Sequence, residues 1–208
     1  SGDGECTTTT NLALGGNATQ LDTDYGGVAS KAIDGNTNGD WSGGNGSVTY
    51  SRGDKPWWQV DLGTTSYIEE VEIWNVTSCC SDRLSNFYIL YSNSPIVGTD
   101  PAAILQQNGV SYIHEPGGIN VSKSYTLNSN ARYVRIHLNT SERLMIAEVE
   151  VMGCTGDGGG DIMGCTDPSA HNYNPNANVD NGSCQTCSDG LQNGDEEEVD
   201  CGGICGSC

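Results

Sequence analysis

Trp57-Trp58-Gln59-Val60-Asp61-Leu62 and, after four residues, Tyr67-Ile68-Glu69-Glu70-Val71-Glu72-Ile73-Trp74 decide the fold class. The first is a short apolar run after Pro56. In the second, Ile68/Glu69 and Val71/Glu72/Ile73 alternate with the two-residue period of a half-buried strand. Phe87-Tyr88-Ile89-Leu90-Tyr91 is aromatic and apolar enough for a third strand. Tyr133-Val134-Arg135-Ile136-His137-Leu138 alternates cleanly, with Tyr133, Arg135 and His137 on one face, and Ala147-Glu148-Val149-Glu150-Val151-Met152 does the same. No segment sustains a 3.6-residue period. Clusters of Gly, Asn, Asp and Ser between the runs read as turns. Several short strands with long polar loops predict an all-β sandwich or barrel.

The 208-residue chain carries 27 Asp and Glu against eight Lys and Arg, a net charge of −19. That balance argues against nucleic acid, which is held largely by Lys and Arg on phosphates. It equally disfavours an anionic membrane surface, and no apolar run approaches the ~20 residues of a spanning helix. The polar opening, Ser1 to Asn11, is not a signal peptide, so any such peptide is expected to have been removed. The charge is uneven. Residues 154–208 hold ten acids and no base, leaving 17 acids and all eight bases (−9) in the first 153. Seven of the ten cysteines also fall in that last stretch. The chain therefore divides into a domain of about 150 residues and a Gly/Asp/Cys-rich tail. The short spacings Cys184/Cys187 and Cys205/Cys208 would suit zinc. An even cysteine count, in a tail with no core of its own, favours disulfides and an oxidising, extracellular compartment.

The loop from Asp34 to Thr49 is Gly-, Asn-, Asp- and Ser-rich with Trp41 alone in its middle. Loops of this length in a compact domain tend to carry function. Trp41 suits either of two roles, a stacking platform for the C–H face of a pyranose or a lid folded onto the core. In the tail, Asp and Asn at alternate positions can offer oxygen to calcium, but not at EF-hand spacing. A disulfide-pinned spacer is the plainer reading there.

Five motifs occur in a fixed order: Asn11-Leu12-Ala13, Ala32-Ile33-Asp34-Gly35-Asn36, Pro56 to Leu62, Cys79-Cys80-Ser81-Asp82-Arg83-Leu84 and Ala147 to Val151. Over residues 11–153 they resemble the fucolectin branch of the discoidin (coagulation-factor C-type) superfamily, also classed as carbohydrate-binding module family 47. The resemblance implies a jelly-roll β-sandwich with neighbouring termini. It implies a Cys6–Cys154 disulfide closing the domain and a Cys79–Cys80 disulfide beneath the sugar. It also implies a structural Ca2+ held by the Lys31, Asn36 and Ala147 carbonyls, Ser47, and the Asp34 and Glu148 carboxylates. Two carboxylates among carbonyl oxygens suit calcium, which takes six to eight oxygens.

The family's sugar anchors are a His and two Arg. Arg83 matches the second Arg, whereas Tyr50 stands at the His position, Val76 at the first Arg and Ser78 at the acid that orients it. Two of three polar anchors are thus replaced, which argues against tight binding of free terminal fucose. The expected ligand residues are Arg83, Cys79, Cys80, Tyr50, Trp41 and Arg52. Arg52, Lys55, Arg83 and Arg143 are expected to gather at one rim and suit a sulfated polysaccharide.

The tail resembles spacer segments of secreted proteins from marine Bacteroidetes. The expected layout is a binding sandwich over 6–154, a Gly-rich linker over 155–163, a repeat pinned by Cys165 and Cys184 over 164–184, and a Cys/Asp/Gly module over 185–208. Together these imply a monomeric, non-catalytic module of a larger secreted protein that targets a glycanase to fucose-containing polysaccharide. The alternatives are a fucose-binding adhesin and a glycan hydrolase. No Gly-x-Ser-x-Gly and no clustered His set supports the hydrolase, and Arg52-Gly53-Asp54 is too short a match to carry integrin-type adhesion.

Overall fold

The structure is a computed structural model and describes residues 6, 8–41, 50–155, 163–174, 179–184, 186, 197–199 and 201. Its chain forms two compact units, Ser1–Gly158 and Gly159–Cys208. The first is built on strands β1 (Thr10–Asn11), β2 (Asn17–Gln20), β3 (Trp57–Asn75), β4 (Ser85–Ser92), β5 (Val110–Gly118), β6 (Ser122–Leu138) and β7 (Ile146–Thr155). They pair antiparallel in the order β1-β7-β3-β6-β4-β5, with β2 also beside β3.

The two stretches that set the fold class are halves of one strand. β3 shifts register between Asp61 and Tyr67, where Gly63 takes a left-handed φ of +85° and its N–H is held by the Asp61 carboxylate at 2.8 Å. Only glycine enters that region without cost. Before the bend β3 pairs with β2 and the end of β6; after it, with the start of β6 and with β7. Trp58, Val60, Val134 and Ile136 from one half meet Ile68, Val71, Ile73, Val149 and Val151 from the other in a single core. That is the sandwich expected from the alternation, with one long ribbon serving both layers.

Tyr133, Arg135 and His137 do share a face, but it is covered. The Ile96 and Gly98 carbonyls both accept hydrogen bonds from the Arg135 guanidinium, and the short helix α1 (Pro101–Ile104) adds Ile104 beside Tyr133. The guanidinium also lies 4.2 Å above the Trp57 ring. Burial lowers the Arg135 pKa to about 10.

Cys6 and Cys154 are bonded, with Cα atoms 5.7 Å apart. In the second unit Cys165 and Cys184 are bonded, and β8 (Met163–Gly164) pairs parallel with β9 (Val179–Asp180). Asp167, Asp180 and Asn181 each accept a backbone N–H two residues on, the Asx turns that so polar a sequence favours. Cys201 is also disulfide-bonded. Cys187, Cys205 and Cys208 lie outside the described residues.

Cys79 and Cys80 correct the sequence expectation: they are free thiols. Adjacent Cα atoms are only about 3.8 Å apart, short of the 4.4–6.8 Å that ordinary disulfides span. Here the Cys79 thiol is hydrogen-bonded to Cys80, which, with burial, raises its pKa.

Candidate functional site

A small apolar patch separate from the main core supplies a floor. Tyr50, Val76, Met145 and Ala147 are buried together, and Trp41, Trp74, Cys79 and Cys80 lean on them. The Val that replaces an expected Arg is therefore fully buried floor. Above it opens a cleft of about 310 Å³ lined by Tyr25, Trp41, Tyr50, Cys79, Cys80, Arg83, Arg143 and Met145.

Trp41 folds onto the floor and also lines the cleft. It packs against Tyr50 with ring centroids 5.3 Å apart, yet still lines the opening. The chain leading to it is a run of Asx turns: Asp34, Asn36 and Asn38 accept the backbone N–H of Asn36, Asn38 and Asp40 in turn. It is then pinned to the segment after β3. The Gly39 carbonyl accepts from Thr77 N–H at 2.8 Å, and Trp41 N–H donates to Ser78 Oγ at 2.8 Å. A Cβ on Gly39 would stand 2.5 Å from the Asn75 carbonyl oxygen and 2.8 Å from Thr77 N. Gly39→Ala is therefore expected to push this chain off its support, at about 1–3 kcal/mol, and to move Trp41 out of the wall. Tryptophan fluorescence and thermal unfolding would reveal it; an unchanged spectrum with unchanged stability would contradict the argument.

Tyr25 completes the aromatic wall, and sequence reasoning missed it. It sits edge-on to Tyr50 at 5.3 Å and to Trp41 at 6.4 Å, and is 67% exposed. Its φ of +50° is held by the Asp24 carboxylate, which accepts its N–H, and Tyr50 N–H donates to the Gly27 carbonyl. An aromatic in an Asp-Tyr-Gly-Gly turn was the available signal. Met145, just before β7, was missed as well; it joins the floor and lines the cleft.

The opposite wall is charged. Cys80 enters the left-handed region at φ +56°, a cost of order 1 kcal/mol for a non-glycine residue, and starts the 3-10 turn Ser81–Arg83. That turn carries Arg83 into the cleft, where Nη1 contacts Met145 Sδ at 3.5 Å and Nε lies 3.9 Å from Glu142. Arg143 lies alongside. Arg52 does not join them, nor does Lys55. Asp22 and Asp24 take Arg52 at 3.4 and 3.1 Å, and Asp100 takes Lys55 at 3.0 Å. Acids on neighbouring loops captured these bases, so the expected four-residue basic rim reduces to two. Asp54 accepts from Ser141, so both charged ends of the Arg-Gly-Asp tripeptide are engaged.

Behind the floor, Glu148 follows Ala147 and is fully buried. Its Oε1 accepts Gly35 N–H at 2.9 Å, while Oε2 has no hydrogen-bond partner among the described residues. Burial, with repulsion from Asp34 and Glu150 behind it, raises its pKa to about 7. A buried carboxylate with one orphaned oxygen, wrapped by the turn that bears Asp34 and Asn36, fits a cation held by few charges and several carbonyls. Lys31, Asp34, Asn36 and Ala147 lie on the elements around it; Ser47 lies outside the described residues. Among the described residues no three His, Cys, Asp or Glu side chains converge on a metal-sized site.

An antiparallel sandwich whose end loops form an aromatic and arginine cleft defines a lectin-like β-domain. The chain belongs to the F5/F8 type C, discoidin-like family: the family model described as "NedA-like, galactose-binding domain" matches residues 31–136. Its relatives within that family include fucolectins. Fucolectin-4 of Anguilla japonica is 34% identical over 152 residues, covering 68% of this chain and 78% of that protein. Among solved structures, the lectin domain of lectinolysin complexed with Lewis B antigen is 33% identical, covers 68% of this chain and 95% of that one, and superposes with a TM-score of 0.57. A Streptococcus pneumoniae fucose binding module is 33% identical over 70% of this chain and 96% of its own, with a TM-score of 0.59. Such relatives are named as lectins and carbohydrate-binding modules.

Proposed function

We propose that the first unit is a calcium-stabilised lectin domain that binds fucose-containing, sulfated polysaccharide and holds a larger secreted protein on that substrate. The observation that carries this reading is the cleft, in which one sugar-sized space meets an aromatic wall, a sulfur-lined ledge and an arginine fork. Tyr25, Trp41 and Tyr50 offer apolar faces to pyranose C–H groups. The Cys79–Cys80 ledge is soft and apolar, suited to the C6 methyl of a fucosyl unit. Arg83 offers planar, directed donors to hydroxyls. Kinship with fucolectins and a fucose binding module supports the same sugar.

Calcium, bound by Glu148, Asp34 and the carbonyls of Lys31, Asn36 and Ala147, would neutralise the buried carboxylate and clamp the Trp41 loop to β7. Its part is to shape the cleft. The second unit, small and disulfide-pinned, acts as a spacer. The disulfides of both units suit an extracellular setting, and among the described residues no helix is long and apolar enough to cross a membrane.

The test is calorimetry of the full chain against fucosylated oligosaccharides and sulfated fucan, with and without chelator. Arg83→Ala is expected to weaken binding by about 1.5–3 kcal/mol, the loss of a charged hydrogen bond. Chelation is expected to lower both affinity and melting temperature, because a ligand bound only by the native state stabilises it. No binding to any fucosylated probe would overturn the reading.

A further inference from the structure

Five of the eight basic side chains are spoken for by acids: Arg52, Lys55, Arg83, Lys123 and Arg132. Arg135 is buried beneath the covering segment, and Lys31 stands on the Ala29–Ile33 turn, outside the cleft lining. Arg143 differs from all of these. It is exposed, it lines the cleft, and it makes no ion pair among the described residues. Its neighbour Glu142 reaches the other way, to Arg83. One turn between β6 and β7 thus delivers both signs of charge. Glu142 offsets Arg83, and Arg143 is left as the uncompensated cation of the cleft.

The consequence is a division of labour. An arginine beside a carboxylate keeps its fork of donors but presents little net field, so it suits neutral hydroxyls. An unpaired arginine at a rim attracts anions and can engage a sulfate ester in a bidentate way. The surrounding domain is acidic, so a polyanion gains nothing from it in general and needs a local positive point.

We infer that Arg143 reads the anionic substituent of the bound glycan, a sulfate ester, while Glu142 keeps Arg83 for the sugar's hydroxyls. This rests on the cleft being the glycan site. Arg143 and Glu142 are then the specificity-determining pair: one sets the preference for a sulfated over an unsulfated chain, the other limits it.

The experiment compares the full chain with Arg143→Gln and Glu142→Gln against a sulfated fucan, the same fucan desulfated, and a neutral fucosylated oligosaccharide. The readout is the ratio of sulfated to desulfated affinity. Arg143→Gln is expected to cut that ratio about tenfold, the size of one charge-assisted hydrogen bond. Glu142→Gln is expected to raise it. The wild-type ratio should also shrink as salt rises, since exposed charges are screened within about 8 Å at physiological ionic strength. A ratio that Arg143→Gln leaves unchanged, or a wild-type ratio near one, overturns the assignment while fucosyl recognition stands. Failure of wild type on all three probes overturns the glycan reading itself, and this inference with it.

Discussion

Replacing Cys6 and Cys154 together by serine is expected to destabilise the first unit by about 5 kcal/mol. The bond joins residues 148 apart in sequence, and a cross-link of that span removes a large share of the unfolded chain's freedom. The native state also leans on it. Beyond the disulfide, the start of the chain is held by modest contacts. Glu69 accepts Cys6 N–H at 3.1 Å and the Thr9 hydroxyl at 2.6 Å, and β1 is only two residues long. That strand lies on β7, pairing Thr10 with Gly153 beside the Cys154 bond. For a domain of this size the loss corresponds to a fall in melting temperature of roughly 10–20 °C. Calorimetry of the full chain measures it. The Cys165–Cys184 bond spans 19 residues and is untouched in this variant, so the second unit serves as its own reference. A fall of only a degree or two would mean that the terminal strand holds itself in place.

The sandwich was legible where strands are half-buried. Residues 67–74 alternate because one face meets the core and the other is partly open, whereas 133–138 alternate because one face enters the core and the other is covered by the 96–104 segment. What escaped was β5 and the first half of β6. β5 carries Pro116, Gly117 and Gly118, which argue against a strand, yet it is an edge strand where a missing ladder donor costs little. The start of β6 is mostly polar. Its Lys123 and Tyr125 both donate to Glu115 on β5, a buried carboxylate whose pKa is lowered by these partners against the pull of burial. Partners eight and ten residues away leave no periodic trace.

The site divides in the same way. Arg83, Cys79 and Cys80 came from a motif, Tyr50 from its place at the family's His position and Trp41 from its long polar loop, and all five line the cleft. Tyr25 came from a turn with no motif, and Arg52 was misassigned because Asp22 and Asp24, some 30 positions away, decide where it points. Local sequence says which side chains a loop carries. It does not say which other loop will claim them.

Acid is expected to destabilise the sandwich through His137. The ring is fully buried on the covered face, and Nε2 lies 3.0 Å from the Lys55 carbonyl. Burial, reinforced by the Arg135 charge and less so by Lys55, lowers its pKa to about 4, although the Lys55 and Thr99 carbonyls pull the other way. Above pH 6.5 the ring is neutral in both states and its contribution is complete. As pH falls below that value the unfolded chain takes up a proton that the folded one refuses until about pH 4. Over that window stability falls by up to 1.36 kcal/mol per pH unit, on the order of 3 kcal/mol in all. Carboxylates with lowered pKa values, such as Asp61 beside Arg132, add their losses mainly at the acid end. Glu148, whose pKa burial raises, works in the opposite sense. The difference between wild type and His137→Gln isolates the ring, since glutamine can still donate to the Lys55 carbonyl but does not titrate. Denaturant unfolding at pH 7, 5.5 and 4 should show wild type losing stability faster than the variant. Parallel slopes would mean that the covering segment opens before the ring is protonated. In that case the loss belongs to the Ile96–Gly98 strap and its bonds to Arg135, not to His137.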